Sequence, residues 1–143
     1  MTKRKKSPLT PSQLVAHAKK AMQRAHAPYS HFRVGAALLT KSGKLYTGCN
    51  VEVSSFSLTL CAERTAVFKA ISDGESSFQS IAVISDSPAY ISPCGACRQV
   101  MAELAPGAII HLADAKGKYI TLPVAELLPL PFDGSVLKNF RKK

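Results

Sequence analysis

Residues 34–39 read Val34-Gly35-Ala36-Ala37-Leu38-Leu39, a short apolar run that is typical of a buried β-strand. The following Lys41-Ser42-Gly43-Lys44 has the composition of a turn, and residues 45–50 resume as a second strand. Two strand-like runs joined by a short turn that contains glycine predict a β-hairpin. We expect this hairpin to form the first part of the sheet.

Segments on both sides of the hairpin alternate between helix and strand patterns. Thr10 offers a capping hydroxyl and Pro11 suits the first helical position, so an amphipathic helix is predicted over residues 11–26. The other predicted elements are helices over 60–72 and 94–104, strands over 80–85, 108–112 and 118–122, and a short helical piece over 122–128. This order predicts an α/β domain in which helices cover the faces of one sheet, although it does not give the strand order.

The length and the charge distribution favour one compact domain with basic ends. The chain has 143 residues, of which 46% are hydrophobic and 20% charged, and we expect a single domain over residues 1–143. Residues 1–6 and 138–143 each carry four basic groups of a chain whose net charge is +10. We expect these tails, at about 1–8 and 138–143, to be frayed and solvated. Weak nucleic-acid binding is the alternative, but no basic and aromatic stripe supports it.

Targeting signals are not expected. The basic start is followed by polar residues and prolines rather than by the apolar core of a signal peptide. No apolar run approaches the roughly 18 residues that a membrane helix needs. We therefore expect a cytoplasmic protein that does not contact a membrane.

Three cysteines lie in two short segments, Cys61-Ala62-Glu63-Arg64 and Pro93-Cys94-Gly95-Ala96-Cys97, each at the start of a predicted helix. Cys94 and Cys97 are three positions apart and share a helix face. One strand with its loops fits between the segments, so both helix starts can meet beside the sheet. Three thiolates leave one tetrahedral position of Zn²⁺ open, which is typical of a catalytic site. Helix N-termini also favour the thiolate form.

Glu63 follows Cys61 by two residues, where its carboxylate can serve the site without being a metal ligand. It can take a proton from water and deliver protons to a ring nitrogen and a leaving amine. Three thiolates and Zn²⁺ carry a net negative charge, and Arg64 is the candidate cation that offsets it. Because Cys-x-Glu followed by Pro-Cys-x-x-Cys is the signature of zinc deaminases, the residues predict that class of enzyme.

Two other interpretations of the cysteines remain open from the residues alone. Cys94 and Cys97 fit a redox pair, or half of a structural zinc site with Cys49 as a fourth ligand. A closed four-thiolate site would leave Glu63 without a role. Cys49 ends an apolar strand and is better interpreted as a small buried residue.

The chain from about Pro28 to Phe132 resembles the small homotetrameric cytidine deaminases of the three-cysteine zinc type. The resemblance is carried by residues 28–38, 48–52, 61–66, 92–99 and 126–129. It implies zinc-dependent hydrolysis of cytidine and 2′-deoxycytidine to uridine and 2′-deoxyuridine with release of ammonia, as in pyrimidine salvage. It also implies a three-layer α-β-α fold with a five-stranded mixed sheet.

The resemblance assigns the metal chemistry to the residues already singled out. It implies Cys61, Cys94 and Cys97 as zinc ligands and Glu63 as the proton shuttle. Arg64 matches the arginine that hydrogen-bonds the thiolates.

The resemblance also implies how a nucleoside binds. Asn50 and Glu52 match the pair that holds the ribose 3′-hydroxyl, which suits an amide beside an acceptor-only carboxylate. Phe32 matches an aromatic near the base, and Ala62 a further substrate-binding position. Phe132 matches a C-terminal phenylalanine that reaches the base from a neighbouring subunit. The implied partners are a nucleoside and other copies of the chain, in a homotetramer with shared active sites.

The chain departs from the family pattern just after Glu52. The family usually has asparagine where this chain has Val53, and tyrosine where it has Phe56. Because an amide and a phenol hydroxyl are lost, the nucleoside range is in question. Deamination of a modified cytosine nucleoside such as blasticidin S is the alternative function.

Overall fold

The structure, a computed structural model, describes residues 8–138 and residue 140. Its helices and strands are α1 (Pro11–Met22), β1 (Val34–Thr40), β2 (Leu45–Cys49), α2 (Ala62–Ser72), β3 (Phe78–Ser85), α3 (Gly95–Leu104), β4 (Ile109–Ala113), β5 (Tyr119–Pro123) and α4 (Ser135–Lys138). Two short 3-10 helices add Phe56–Leu58 and Val124–Leu127. No helix among the described residues is long and apolar enough to cross a membrane.

The five strands form one mixed sheet in the order β2-β1-β3-β4-β5. The β1–β2 hairpin is antiparallel, as predicted, with Gly35 opposite Cys49. β1 also pairs antiparallel with β3, while β3 and β4 are parallel and β4 and β5 antiparallel. All residues of β1 are buried, because this strand is covered on both faces.

Helix α1 covers one face of the sheet. Its buried residues pack with the β1, β3 and β4 side chains that point to that face, a cluster that contains Leu14, Val15, Ala18, Met22, Ala37, Leu39, Ala82, Ile84 and Ala113. Gly35 permits this contact, because a Cβ at this position would lie 2.0 Å from the Ala18 carbonyl oxygen and 2.6 Å from the Met22 nitrogen. The helix backbone therefore rests directly on the strand.

Helices α2 and α3 cover the opposite face, where the larger apolar cluster lies. Gly48 allows α2 to approach β2 closely, as Gly35 allows α1 to approach β1, since a Cβ at position 48 would lie 2.4 Å from the Ala62 carbonyl oxygen. The first turn of α2 is thus pressed against the edge strand. Helices on both sides of one sheet give the three-layer α-β-α arrangement that the sequence predicts.

The main difference from the predicted elements is the end of α1. The Thr10 hydroxyl caps the helix, and Gln13 completes a capping box, but the helix ends at Met22 rather than near residue 26. Beyond it the chain turns, and His26 forms a bridge with Val51 instead. The His26 N–H donates to the Asn50 carbonyl at 2.9 Å, and the Glu52 N–H donates to the His26 carbonyl at 2.8 Å. Sheet-like pairing therefore replaces the last helical turn.

Smaller differences concern the ends of elements. The predicted helices at 60–72 and 94–104 begin at Ala62 and Gly95, because Cys61 and Cys94 are the capping residues. The 3-10 helix Phe56–Leu58 and α4 are not predicted from the sequence. The predicted frayed tails fall mostly on residues outside the described part of the chain.

Candidate active site

Three cysteine sulfurs meet where α2 and α3 begin. Cys61 is the N-cap of α2, Cys94 is the N-cap of α3, and Cys97 lies in the first turn of α3. Neither capping side chain accepts a hydrogen bond from a backbone N–H of its own helix. The three Sγ atoms lie within 4.8 Å of one another, and all four cysteines of the chain are free thiols. We call Cys61, Cys94 and Cys97 the cysteine cluster.

The surroundings of the cluster favour anionic sulfur. The Cys97 thiol hydrogen-bonds to Cys61 and, with Arg64, lowers the pKa of Cys61 to about 5. The hydrogen bond with Cys61, together with burial, raises the pKa of Cys97. Arg64 Nη2 donates to the Cys61 sulfur at 3.3 Å. Because metals bind cysteine as the thiolate, the lowered pKa of Cys61 suits a metal ligand.

The cluster is chemically suited to zinc. Three soft sulfur donors at the spacing found here are ligands that Zn²⁺ favours, and three protein ligands leave a position for a reacting molecule. Three thiolates carry more negative charge than Zn²⁺ carries positive charge. The guanidinium of Arg64 can offset this difference. Its Nε is buried and has no hydrogen-bond partner among the described residues, so the group is held by charge and by Nη2.

Glu63 lies beside the cluster in the first turn of α2. Its side chain is buried, and the residue is only 4% exposed. Burial raises the pKa of Glu63, and the charge of Cys61 raises it further, while a hydrogen bond with Cys97 acts in the opposite direction. A buried carboxyl whose pKa is raised holds a proton more readily than an exposed one, which suits a group that must take and give protons.

A second group of side chains lies in the loops beside the hairpin. Asn50 Oδ1 accepts a hydrogen bond from the Val34 N–H at 2.9 Å, and its Nδ2 donates to the Phe32 carbonyl at 2.8 Å. The amide therefore fixes the backbone on both sides of residue 33. One hydrogen of Nδ2 remains for another acceptor.

Glu52 holds the turn that precedes Phe32. Its Oε1 accepts hydrogen bonds from the backbone N–H groups of Tyr29 and Ser30, both at 3.1 Å, and its Oε2 accepts one from the Ser30 hydroxyl. The Ser30 hydroxyl is the largest cause that lowers the pKa of Glu52, so this carboxylate is ionised at neutral pH. We call Ser30, Phe32, Asn50 and Glu52 the loop wall.

One short bridge joins the loop wall to the cysteine cluster. Val51, which lies between Asn50 and Glu52 in the sequence, pairs with Leu60 through N···O distances of 2.9 and 3.0 Å. Leu60 directly precedes Cys61. This backbone pairing places the segment with the predicted sugar-binding residues next to the segment that carries Cys61.

Phe132 is tied to α3 through its backbone. Gln99 Nε2 donates to the Phe132 carbonyl at 2.8 Å, whereas the Phe132 residue is 61% exposed. Most of the Phe132 residue is therefore open to solvent in the single chain. Ala62 differs, because its side chain is fully buried in the core.

Sequence reasoning missed the parts played by Ser30, Arg98 and Gln99. Arg98 donates to the Pro93 carbonyl at 2.8 Å and to the Leu127 carbonyl at 2.7 Å, which fixes the loop before Cys94. The sequence signals were that Arg98 and Gln99 directly follow Cys97 and that all three residues lie in stretches that carry the family resemblance.

The fold and the site together define a zinc-binding deaminase domain. Residues 9–113 match the family model of the cytidine and deoxycytidylate deaminase zinc-binding region. A cytidine deaminase of Sporosarcina psychrophila is 52% identical over 120 residues, which cover 83% of this chain and 88% of that protein. The crystal structure of cytidine deaminase from Burkholderia pseudomallei is 46% identical, with a TM-score of 0.84 over 87% of this chain and 100% of that one. The chain belongs to the cytidine and deoxycytidylate deaminase family.

These comparisons confirm the resemblance, the fold class and the enzyme class. A blasticidin-S deaminase of Bacillus cereus is also similar, but at 34% identity over 107 residues, which cover 69% of this chain and 76% of that protein. The greater identity to cytidine deaminases favours the cytidine function over the alternative.

The interpretation of Cys49 as a fourth ligand is wrong, because the cluster that is able to bind a metal contains only the other three cysteines. Cys49 is half-buried rather than buried, and its Sγ lies 3.4 Å from the Arg24 carbonyl oxygen.

Proposed function

We propose that the chain catalyses the hydrolytic deamination of cytidine and 2′-deoxycytidine to the corresponding uridines, with release of ammonia. The observation that carries this proposal is the buried Glu63 carboxyl beside three convergent sulfurs at two helix starts. Identity to proteins named cytidine deaminase supports the substrate.

Cys61, Cys94 and Cys97 would hold the zinc ion. When bound there, zinc supplies the Lewis acidity for the attack of water on C4 of the cytosine ring. Arg64 keeps Cys61 anionic through its hydrogen bond to the sulfur. The guanidinium also offsets the negative charge that three thiolates bring.

Glu63 moves the protons of the reaction. Its carboxylate takes a proton from the attacking water and delivers protons to the ring nitrogen and to the departing amine. Because the side chain is buried, bulk water does not compete for these transfers. One water is consumed and one ammonia leaves, so the carboxyl ends in its starting state.

The loop wall binds the nucleoside in this proposal. Glu52 is an ionised acceptor for a sugar hydroxyl, and the free hydrogen of the Asn50 amide is the matching donor. Phe32, which is partly exposed, offers an apolar surface to the base. Ala62 contributes through its own backbone N–H in the first turn of α2, since its side chain is buried in the core.

We also propose that the enzyme is a homotetramer in which Phe132 serves a neighbouring subunit's site. Exposed apolar side chains support association: the residue Phe56 is 64% exposed, Leu58 74% and Phe132 61%. Removing such area from water favours binding between copies.

The whole chain, 1–143, is proposed as one domain, because a single sheet carries all the packed helices. A cytoplasmic location is proposed because three free cysteines must stay reduced to bind the metal.

The test combines metal analysis with substrate assays on the purified full chain. We expect about one zinc per chain, in line with three ligands at one site, and loss of the cytosine absorbance band with cytidine and 2′-deoxycytidine. Blasticidin S, assayed beside them, should turn over more slowly. Zinc binding without turnover of any cytosine nucleoside would contradict the enzymatic function, and faster turnover of blasticidin S would replace the substrate.

A further inference from the structure

A cavity of about 400 Å³ lies between α1 and α2, along the edge strand β2. Its walls include His17 and Lys20 of α1, Arg24 just after that helix, Thr47 of β2 and Lys69 of α2. None of the cysteine cluster, Glu63 or the loop wall lines it. The cavity is therefore separate from the candidate active site.

The walls of the cavity carry positive charge and no carboxylate. His17, Lys20 and Arg24 follow one another at intervals of three and four positions, which places them on one face of α1 and its extension. Helix α1 contains no acidic residue. In the described part of the chain, the ion pairs use only Arg33 and Lys44 as cations, so the cavity's cations remain without an anionic partner.

Lys69 brings a charge from the opposite wall. Its Nζ donates to the Thr47 carbonyl, which keeps the ammonium at the edge strand, and the group has two further hydrogens to donate. Cations from two different helices thus converge on one concave space. An ordinary solvated helix face spreads its lysines outward instead.

The size and the chemistry of the walls indicate the kind of ligand. The volume falls in the range of small-molecule sites, about 300–1,000 Å³. The lining residues include no phenylalanine, tyrosine or tryptophan, whereas grooves for single-stranded nucleic acid use such rings to stack bases. Several cations without a stacking surface match a compact group that carries multiple negative charges.

We propose that this cavity binds a compact polyphosphate group, either free or as the tail of a nucleotide. Lys20 and Arg24 hold the phosphates from the α1 side, and Lys69 holds them from α2. The site adds a function to the molecule and does not depend on which nucleoside the enzyme deaminates.

The test is calorimetric titration of the zinc-loaded full chain with inorganic tripolyphosphate and, separately, with ATP. ATP is chosen because adenine does not compete for a cytosine site. We expect one saturable site per chain for each probe. The double variant Lys20→Gln/Arg24→Gln should weaken binding at least about tenfold, as should Lys69→Gln from the other wall, because each removes a charge-assisted contact.

Lys19→Gln is the matched control, since Lys19 is exposed on α1 but does not line the cavity. It should leave the affinity within about twofold, because a charge outside the cavity makes no contact. Zinc content is measured before and after titration, since polyphosphates chelate metals, and the thermal midpoints confirm that the variants fold.

Equal affinities for tripolyphosphate and ATP indicate recognition of the phosphates alone, and tighter ATP binding indicates a nucleotide source; both support the proposal. Equal weakening by Lys19→Gln, or no saturable binding of either probe below about 10 mM, overturns it.

Discussion

The cysteine cluster takes its reactive groups from the first turns of two helices, whereas the loop wall takes its groups from irregular chain beside the hairpin. In the cluster, the spacing within Cys94–Cys97 and the caps at Cys61 and Cys94 place each sulfur at its own helix start, and tertiary packing brings the two starts together. In the wall, Asn50 and Glu52 act on backbone groups that are 16 to 23 positions away in the chain. In the proposed function, the first region supplies the chemistry and the second positions the nucleoside, so changes in the two regions should have separable effects.

The largest effect is expected from Glu63→Gln. Removing the proton carrier should lower kcat by about 10²–10⁴-fold, while the sulfurs still bind zinc. Steady-state assays with cytidine and zinc analysis of the same preparation measure both quantities. Glu103→Gln, at an exposed carboxyl of α3, is the matched control and should keep the wild-type kcat. A zinc-loaded Glu63→Gln enzyme with wild-type turnover would contradict the role of Glu63 as the proton carrier.

Asn50→Ala tests the structural role of the wall. The buried Val34 N–H and the Phe32 carbonyl lose their partner, so the free energy of unfolding should fall by about 1–3 kcal/mol for each group left unpaired. Urea denaturation measures the loss. The zinc content should not change, because no contact joins the amide to a sulfur. A variant of unchanged stability that loses zinc would show that the two regions are not separable.

Arg64→Gln tests the charge balance of the cluster. Loss of the donor at the Cys61 sulfur should weaken zinc binding about 10–100-fold, which is typical for groups that contact metal ligands. Competition with a chelator of known affinity measures this change. Arg64→Lys keeps the charge and should restore part of the affinity. If neither variant alters zinc affinity, the arginine has no part in holding the thiolate.

The smallest effect is expected from Ser30→Ala. The Ser30 hydroxyl is the main group that lowers the pKa of Glu52, so its removal lets that pKa rise toward the ordinary value of 4.5. Since the ionised carboxylate is the stronger acceptor for a hydroxyl, the KM of the variant for cytidine should begin to rise at a higher pH than that of the wild type as the solution is acidified. At neutral pH the KM should rise by only about threefold, the worth of one ordinary hydrogen bond.

The stability of the protein should depend on pH in the same direction as substrate binding, because both need Glu52 to be ionised. Because the folded-state pKa of Glu52 is below its ordinary value, its contribution to folding is complete above about pH 4.5 and is lost as the pH falls. Ser30→Ala should shrink this acid-dependent part, which unfolding curves at pH 4 and pH 7 would show. A KM profile and stability that match those of the wild type at every pH would contradict a link between Ser30 and Glu52.

The sequence predicts the members of the cluster well because each cysteine belongs to a short local motif, although the contact between Cys61 and Cys94 joins residues 33 positions apart. The cap at Thr10, the cysteines at two helix starts and the apolar run of β1 each depend on a few neighbouring residues. The family membership confirmed by comparison adds to this, since the motifs occur in order along the chain.

The loop wall and the end of α1 were not predictable in the same way. The helical spacing of apolar residues continues past Met22, but pairing of His26 with Val51, which is 25 positions later, ends the helix. The Ser30–Glu52 contact likewise joins residues 22 positions apart. Local sequence patterns do not show which distant residues pair. For the same reason they do not give the order of the strands in the sheet.

The contact of Gly48 with α2 bears on how this enzyme tolerates sequence drift. A single methyl at position 48 would overlap the Ala62 carbonyl oxygen and displace the helix start that carries Cys61 and Glu63. By contrast, Gly107 has open space where a Cβ would lie. Libraries for directed evolution should therefore keep position 48 constant and diversify position 107, even though Gly48 contributes no side chain to the chemistry.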